Sequence, residues 1–296
     1  MSPTANATSA RGLAGESDLG RAIEELAECS QLRPLARNLF EITFQSPAIA
    51  ELARPGEFAQ IWVERSHIPL LRRPFSFSRA DRRDGTVAFY LGVVGDGSRR
   101  LRALSPGDRV RILGPLGRGF TLPETPGRSA LILGGLGAAP FPLLAERLRQ
   151  LGEEVVWVNG ARTADELYPD ELIPPGVQEI VQFTEDGSQG STGRITAGLL
   201  PLLKEVDRVY ACGPNHMLGA VFQLISSSSL ARLPLEVSIE APMGCGFGTC
   251  LGCAIPLRAD GTNTEPVIGL CCRQGPVLRG SLLDWEQLLL QPAHLA

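Results

Sequence analysis

Between Leu26 and Leu122, apolar and polar positions alternate in short runs. "LARNLFEITFQS", "GEFAQIWVERS", "PFSFSRA" and "TVAFYLGVVG" predict strands, separated by "PG", "DG" and "SPGD" turns. "SPGDRVRILGPLGRGF" adds a further strand. So many short strands in one segment predict a small antiparallel β-barrel over 21–123. Near Pro123 the period changes. "SALILGG" reads as a buried strand, "PFPLLAERLRQLG" as a helix, "EVVWVNGA" as a strand and "TADELYPDELI" as a helix. "EIVQFTED", "ITAGLLPLL", "RVYACGP" and "NHMLGAVFQLISS" continue the alternation, which predicts a Rossmann-like parallel α/β domain over 124–234. The serine run Ser226–Ser229 marks a surface break near its end. A smaller C-terminal domain over 235–296 carries five of the seven cysteines.

Composition narrows the function classes. The 296 residues are 44% hydrophobic with a formal net charge of -4, enough for sizeable cores and unlike a general binder of nucleic acid or anionic membranes. The longest apolar stretch, Ala130 to Ala145, is too short for a span and is cut by glycine and proline. The first twenty residues are rich in Ser, Ala, Thr and Gly and lack the apolar core of a secretory signal. They are expected to be a disordered extension, 1–20, of a cytoplasmic protein. Seven cysteines in that compartment point to metal or redox chemistry rather than disulfides.

"GCGFGTCLGC" concentrates that chemistry. Cys245, Cys250 and Cys253 have the spacing Cys-x4-Cys-x2-Cys, with Cys271 and Cys272 farther on. This is the plant-type ferredoxin spacing for a [2Fe-2S] cluster. Three thiolates must converge from one loop, and the intervening glycines let the backbone turn tightly and aim amides at sulfur. Four thiolates would also suit structural zinc, as in a non-enzymatic binding module. Spacing alone leaves Cys271 and Cys272 equal candidates for the fourth ligand.

Glycine-rich turns follow three strands of the α/β segment. "LILGGLGAAP" places Gly134, Gly135 and Gly137 between strand and helix, where a pyrophosphate can approach a helix N-terminus. "TEDGSQGSTG", with Gly187, and "ACGP", with Cys212, Gly213 and Pro214, also close strands. All three should line one crevice at the carboxyl ends of the strands. Cys212 is either a small buried residue or a group at the site of hydride transfer. In the barrel segment, "RRPFSFS" offers Arg72 and Arg73 for a pyrophosphate, an aromatic, Phe75, to stack on a flat ring, and a serine beside it to hydrogen-bond a ring nitrogen. "VVGDGS" adds glycine amides for a phosphate. The only histidines are His67, His216 and His294, and no histidine-centred acid–base constellation is visible.

The order RPFS, GGLGAAP, ACGP and CGFGTCLGC…C-x-x-GP resembles the electron-transfer subunits of class 1B dihydroorotate dehydrogenases, within the ferredoxin-NADP reductase superfamily, over about residues 27 to 278. The resemblance implies an FAD-binding barrel, an NAD(P)-binding domain and a [2Fe-2S] domain. It places Arg73 and Pro74 at the FAD, Phe75 where tyrosine is common, Ser76 near the flavin N5, and Gly97 and Ser98 at phosphate. Because the fourth cluster ligand precedes x-x-GP in the family, "CRQGP" selects Cys272. The implied reaction passes electrons from the FMN of a separate catalytic subunit through [2Fe-2S] and FAD to NAD, within a heterotetramer of pyrimidine biosynthesis. A reductase module serving a hydrogenase, a sulfite reductase or a ferredoxin would use the same relay. Arg162, after "EVVWVNG", leaves NAD against NADP open.

Overall fold

Two seven-stranded sheets and a short hairpin carry the chain. The computed structural model describes residues 19–36, 38–62, 70–258 and 267–290. Residues 1–18 of the expected extension, His67 and His294 lie outside the described residues. The last two positions of that extension do not continue it. Leu19 opens a 3-10 turn, Leu19–Arg21, and packs against the core, while Arg21 pairs with the buried Glu57 at 2.8 Å.

The barrel sheet is built from β1 (Ile23–Pro34), β2 (Leu39–Gln45), β3 (Phe58–Trp62), β4 (Arg73–Ser76), β5 (Arg79–Asp81), β6 (Thr86–Gly92) and β7 (Arg109–Leu116), with short helices α1 (Pro47–Leu52) and α2 (Asp96–Arg102) between strands. Its order is β4-β3-β7-β1-β2-β6-β5, all antiparallel. The edge strands β4 and β5 are consecutive in the chain, separated only by Phe77 and Ser78. The Ser78 amide donates to the Ala88 carbonyl at 2.8 Å, so the chain itself joins the two edges into a barrel. Phe40, Ile42, Phe44, Ile61, Phe77 and Phe89 fill its interior.

β1 is a central strand that the hydropathy pattern does not reveal, because "IEELAECSQ" carries three glutamates. Ala27 and Cys29 face the core, and the opposite face answers its charges across the ladder. Glu28 takes Arg109 at 3.0 Å and Glu24 takes Arg111 at 2.9 Å. Cross-strand ion pairs of this kind let a strand poor in β-formers sit inside a sheet.

The second sheet comprises β8 (Arg128–Gly134), β9 (Glu154–Ala161), β10 (Glu179–Thr184), β11 (Ser191–Thr192), β12 (Arg208–Cys212) and β13 (Leu235–Ser238), with helices α3 (Phe141–Gln150), α4 (Leu199–Leu203) and α5 (Asn215–Ser226). The hairpin β14 (Ala254–Leu257) and β15 (Val267–Leu270) follows, then α6 (Cys271–Gln274), β16 (Val277–Arg279) and α7 (Trp285–Leu290). The order β11-β10-β9-β8-β12-β13-β16 is parallel except for β16, which returns antiparallel to β13. The sheet therefore draws strands from both sides of position 234/235.

Two expected helices are shorter than their patterns suggest. "TADELYPDELI" folds as two 3-10 turns, Ala164–Glu166 and Asp170–Leu172, since Pro169 between them has no N–H to continue a helix. "ITAGLLPLL" yields a 3-10 turn, Ile195–Ala197, and the five-residue α4. Among the described residues no helix is long and apolar enough to cross a membrane.

Candidate functional site

The carboxyl ends of β8, β9, β10 and β12 open into a crevice of about 880 Å³ that the barrel borders through Tyr90 and Gly92–Val94. Gly134, Gly135 and Gly137 line it, as does Pro214. Gly187, Cys212 and Gly213 do not. Gly187 is occupied by its own turn, where its amide donates to the Thr184 carbonyl at 3.2 Å and a side chain would meet Thr192 Oγ1 at 2.6 Å. The residues of that segment which reach the crevice are Glu185, Arg194, Ile195 and Thr196.

The glycines of the first loop have different reasons. A Cβ on Gly135, at φ +53°, would meet nothing within 4 Å, so this residue leaves open space at the mouth of the crevice. Such open space leaves room for a phosphate to approach the turn. A Cβ on Gly137 would lie 2.4 Å from the Cys212 carbonyl oxygen and 2.5 Å from the Gly213 amide nitrogen. Its absent side chain therefore permits the turn to pack on β12, a packing role beside its place in the crevice lining.

Cys212 lies behind this contact and is buried. Burial, and next the charge of Glu240, push its thiol up to about 12, so it remains a neutral thiol at ordinary pH. Glu240 and Tyr90 line the crevice and escaped the sequence reading. Tyr90 looked like one more apolar strand position, and Glu240 sits unmarked in "SIEAPMG". The buried Tyr90 hydroxyl has no protein partner, and burial raises its pKa, so it stays protonated. Burial likewise raises the Glu240 carboxyl above the ordinary 4.5.

The sign of the Glu240 effect is fixed. Below pH 4.5 the folded and unfolded chains both hold the proton. As pH rises from there, the unfolded chain releases it first, so stability falls until the folded carboxyl has also ionised. Glu240→Gln is expected to remove that loss. Its unfolding midpoint should fall less steeply than that of the parent as pH climbs from about 4.5 toward neutrality. Superimposable pH profiles would show that this carboxyl does not titrate differently on folding.

The barrel motif is gathered at the end of β4. Arg72 and Arg73 diverge: Arg72 pairs with Glu24 and covers the Trp62 ring at 5.2 Å. Arg73 instead lies over Gly97, where a Cβ would come within 2.7 Å of its Cγ, and its Nη1 donates to the Leu71 carbonyl at 2.7 Å. Arg73, Pro74, Phe75 and Ser76 are all half-buried, and Phe75 rests against the barrel core. The Ser98 hydroxyl accepts from the amides of Val94 at 3.0 Å and Gly95 at 3.1 Å. It is thus occupied in shaping the turn. What remains for a phosphate is the amides of Gly97 and Ser98 at the start of α2, which have no intrahelical acceptor.

The cysteine loop follows β13. The register Ala254↔Leu270 in the β14–β15 hairpin brings Cys253 opposite Cys271, and the Cys271 amide donates to the Cys253 carbonyl at 2.8 Å. The chain then turns into α6. This swings Cys272 Sγ to 3.2 Å from Cys253 Sγ, whereas Cys271 Sγ points away, 3.9 Å from the Ile239 carbonyl oxygen. Cys245 and Cys250 form a second pair, the Cys250 amide lying 3.5 Å from Cys245 Sγ. Burial opposes ionisation of Cys245, but loop amides outweigh it and lower the thiol to about 7. Among the described residues no three such side chains converge on a single ion. Two cysteine pairs fit a two-iron core better than one tetrahedral zinc.

Comparison with known proteins agrees with this geometry. The family described as iron-sulfur cluster binding domain of dihydroorotate dehydrogenase B matches residues 240–284. Among solved structures, the NADH-dependent reduced ferredoxin-NADP oxidoreductase studied for flavin-based electron bifurcation is 28% identical, with a TM-score of 0.77 over 90% of this chain and 92% of that one. The ferredoxin reductase in carbazole 1,9a-dioxygenase is 27% identical, with a TM-score of 0.60 over 71% and 67%. The electron transfer subunit of dihydroorotate dehydrogenase B (NAD(+)) from Desulforamulus reducens is 35% identical, covering 85% of this chain and 95% of its own. That from Bacillus caldolyticus is 36% identical, covering 86% and 96%. The two electron transfer subunits, matched over nearly their whole length, do not favour a zinc-stabilised module or a reductase serving a hydrogenase, a sulfite reductase or a ferredoxin. With such identity over nearly the whole length of those relatives, the chain belongs to the family of dihydroorotate dehydrogenase B electron transfer subunits.

Proposed function

We propose that this chain relays electrons from an FMN-bearing, dihydroorotate-oxidising catalytic subunit to NAD, through a [2Fe-2S] cluster on the cysteine loop and an FAD on the barrel. The observation that carries this reading is the position of the barrel. It borders the crevice at Gly92–Val94, and its strand β3 lies beneath the cysteine loop, where Gln60 meets Gly246. When bound, the nicotinamide exchanges a hydride, the cluster single electrons, and the flavin either.

The chain's own residues bind and orient. Arg73 and the amides at the start of α2 take the FAD pyrophosphate, Phe75 stacks, and Ser76 offers its hydroxyl to the ring. The turn at Gly135 takes the dinucleotide phosphates. Cys212 and Glu240 sit near one another by the crevice, and Glu240 with its raised carboxyl can hold a proton there. Cys245, Cys250, Cys253 and Cys272 hold the irons. The charges of the crevice support NAD over NADP. Arg162 is held bidentately by Glu166, at 2.8 and 3.0 Å. Asp165, Glu166 and Glu185 face Arg162 and Arg194, an acidic excess that disfavours a 2′-phosphate.

The catalytic subunit docks over the cysteine loop, in a heterotetramer of two chains of each kind in the cytoplasm. Leu71, Phe247 and Leu251 are exposed on or beside that loop, Leu251 at 64% and Leu71 at 52%, and Cys250 is exposed among them. Apolar side chains in water around a redox centre mark a contact surface. Anaerobic mixing of this chain with the FMN subunit, dihydroorotate and NAD is expected to form NADH only when both proteins are present. Leu251→Asp should weaken their association at least about tenfold, or 1.4 kcal/mol, while NADH-driven dye reduction by the isolated chain is kept. No NADH from the loaded pair would refute the relay, and undiminished association of the variant would move the docking face elsewhere.

A further inference from the structure

We propose that Gln60 is a positioning residue of the relay, its side-chain amide donating a hydrogen bond to sulfur at the Cys245 side of the cluster and so setting the cluster's potential. This rests on the reading that the cysteine loop holds a [2Fe-2S] cluster. Along β3, Ala59 and Ile61 enter the barrel core, while Phe58 and Gln60 take the opposite face. On that face Phe58 shares a core with Cys253, Cys271 and Cys272. Gln60 is 0% exposed, yet neither its Oε1 nor its Nε2 has a protein partner. A glutamine in such a place bears the full desolvation of its amide, which an apolar side chain of the same shape would avoid.

Its surroundings identify what the amide serves. Gly246, next to Cys245, lies on top of it. A Cβ there would be 2.7 Å from Gln60 Cγ and 2.8 Å from Nε2, and the backbone at φ +84° is held in the left-handed region. The loop thus descends onto the Gln60 amide at the residue after its first cysteine. Thiolate and sulfide offer only acceptors, and the carboxamide offers two N–H donors. The same residue pairs through its backbone with Pro74 of the flavin motif, so it stands between the two redox groups. A donor at the sulfurs stabilises the reduced cluster, which carries the additional negative charge, and raises its potential.

The test uses the whole chain, purified anaerobically, with Gln60→Met keeping the shape without donors and Gln60→Glu keeping the length. Both are expected to retain iron and acid-labile sulfide. The cluster midpoint, followed by electron paramagnetic resonance during a redox titration, should move negative in Gln60→Met by about a tenfold change in the reduction equilibrium, or 59 mV for one electron. Gln60→Glu should move it further in the same direction, and the flavin midpoint should stay in place. An unmoved cluster in the loaded variants overturns the proposal, as does a shift confined to the flavin or loss of the cluster from both. A parent chain without acid-labile sulfide fails earlier and differently, since then the cluster reading itself falls.

Discussion

Cys272→Ser is expected to strip the chain of its cluster, whereas Cys271→Ser is expected to keep it. The two residues are adjacent, yet the turn from β15 into α6 sends their side chains apart. Cys272 Sγ stands 3.2 Å from Cys253 Sγ. Cys271 is buried with its Sγ 3.9 Å from the Ile239 carbonyl oxygen. Parent and Cys271→Ser should each carry about two irons and two acid-labile sulfides per chain, and Cys272→Ser should lose most of both. Flavin reduction by NADH should survive in Cys272→Ser, because in that direction it precedes the cluster. Electron exchange with the FMN subunit should not. Cluster loss in Cys271→Ser with retention in Cys272→Ser would reverse the ligand choice, and stoichiometric zinc without sulfide would end the relay.

That pair shows where the sequence was legible and where it was not. Cys245, Cys250 and Cys253 could be read together because their grouping is local, within one loop. The fourth ligand depends on hairpin register and on a turn of four residues, and neither leaves a mark in spacing. Family resemblance suggested Cys272, and the 3.2 Å approach of its Sγ to Cys253 Sγ supports that choice. The strand–helix alternation was readable wherever apolar runs were uninterrupted, as in β8, α3 and β9. It failed at β1, whose Glu24 and Glu28 pair with arginines 87 and 81 residues away, a pairing that exists only once the barrel has formed. Glu240, Tyr90 and Gln60 were invisible for a related reason. Each is a polar group inside an ordinary apolar stretch, and only tertiary burial shows that it is placed against a site.

Gly137→Val is expected to damage the fold before it touches binding. The added carbons would meet the backbone at Cys212 and Gly213, beginning 2.4 Å from a carbonyl oxygen. Backbone in a parallel ladder cannot step aside as a flexible side chain does, so the turn must lift off β12. Overpacking of this severity costs about 3 kcal/mol or more. Over 296 residues, at about 2.1 cal/mol/K of unfolding entropy per residue, that corresponds to a melting temperature lower by about 5 °C or more. NADH binding should weaken as a consequence, because Gly135 and the start of α3 are displaced with the turn. Gly135→Ala provides the contrast. Its Cβ would meet nothing within 4 Å, and the positive φ of +53° is the main obstacle, at about 1–2 kcal/mol. That variant should melt within a few degrees of the parent, while its methyl group projects into the space left for phosphate and raises the dissociation constant for NADH. Calorimetry and NADH titration of both variants separate the two roles. An unchanged melting temperature with weakened NADH binding in Gly137→Val would restore the simpler view that this glycine makes room for the ligand.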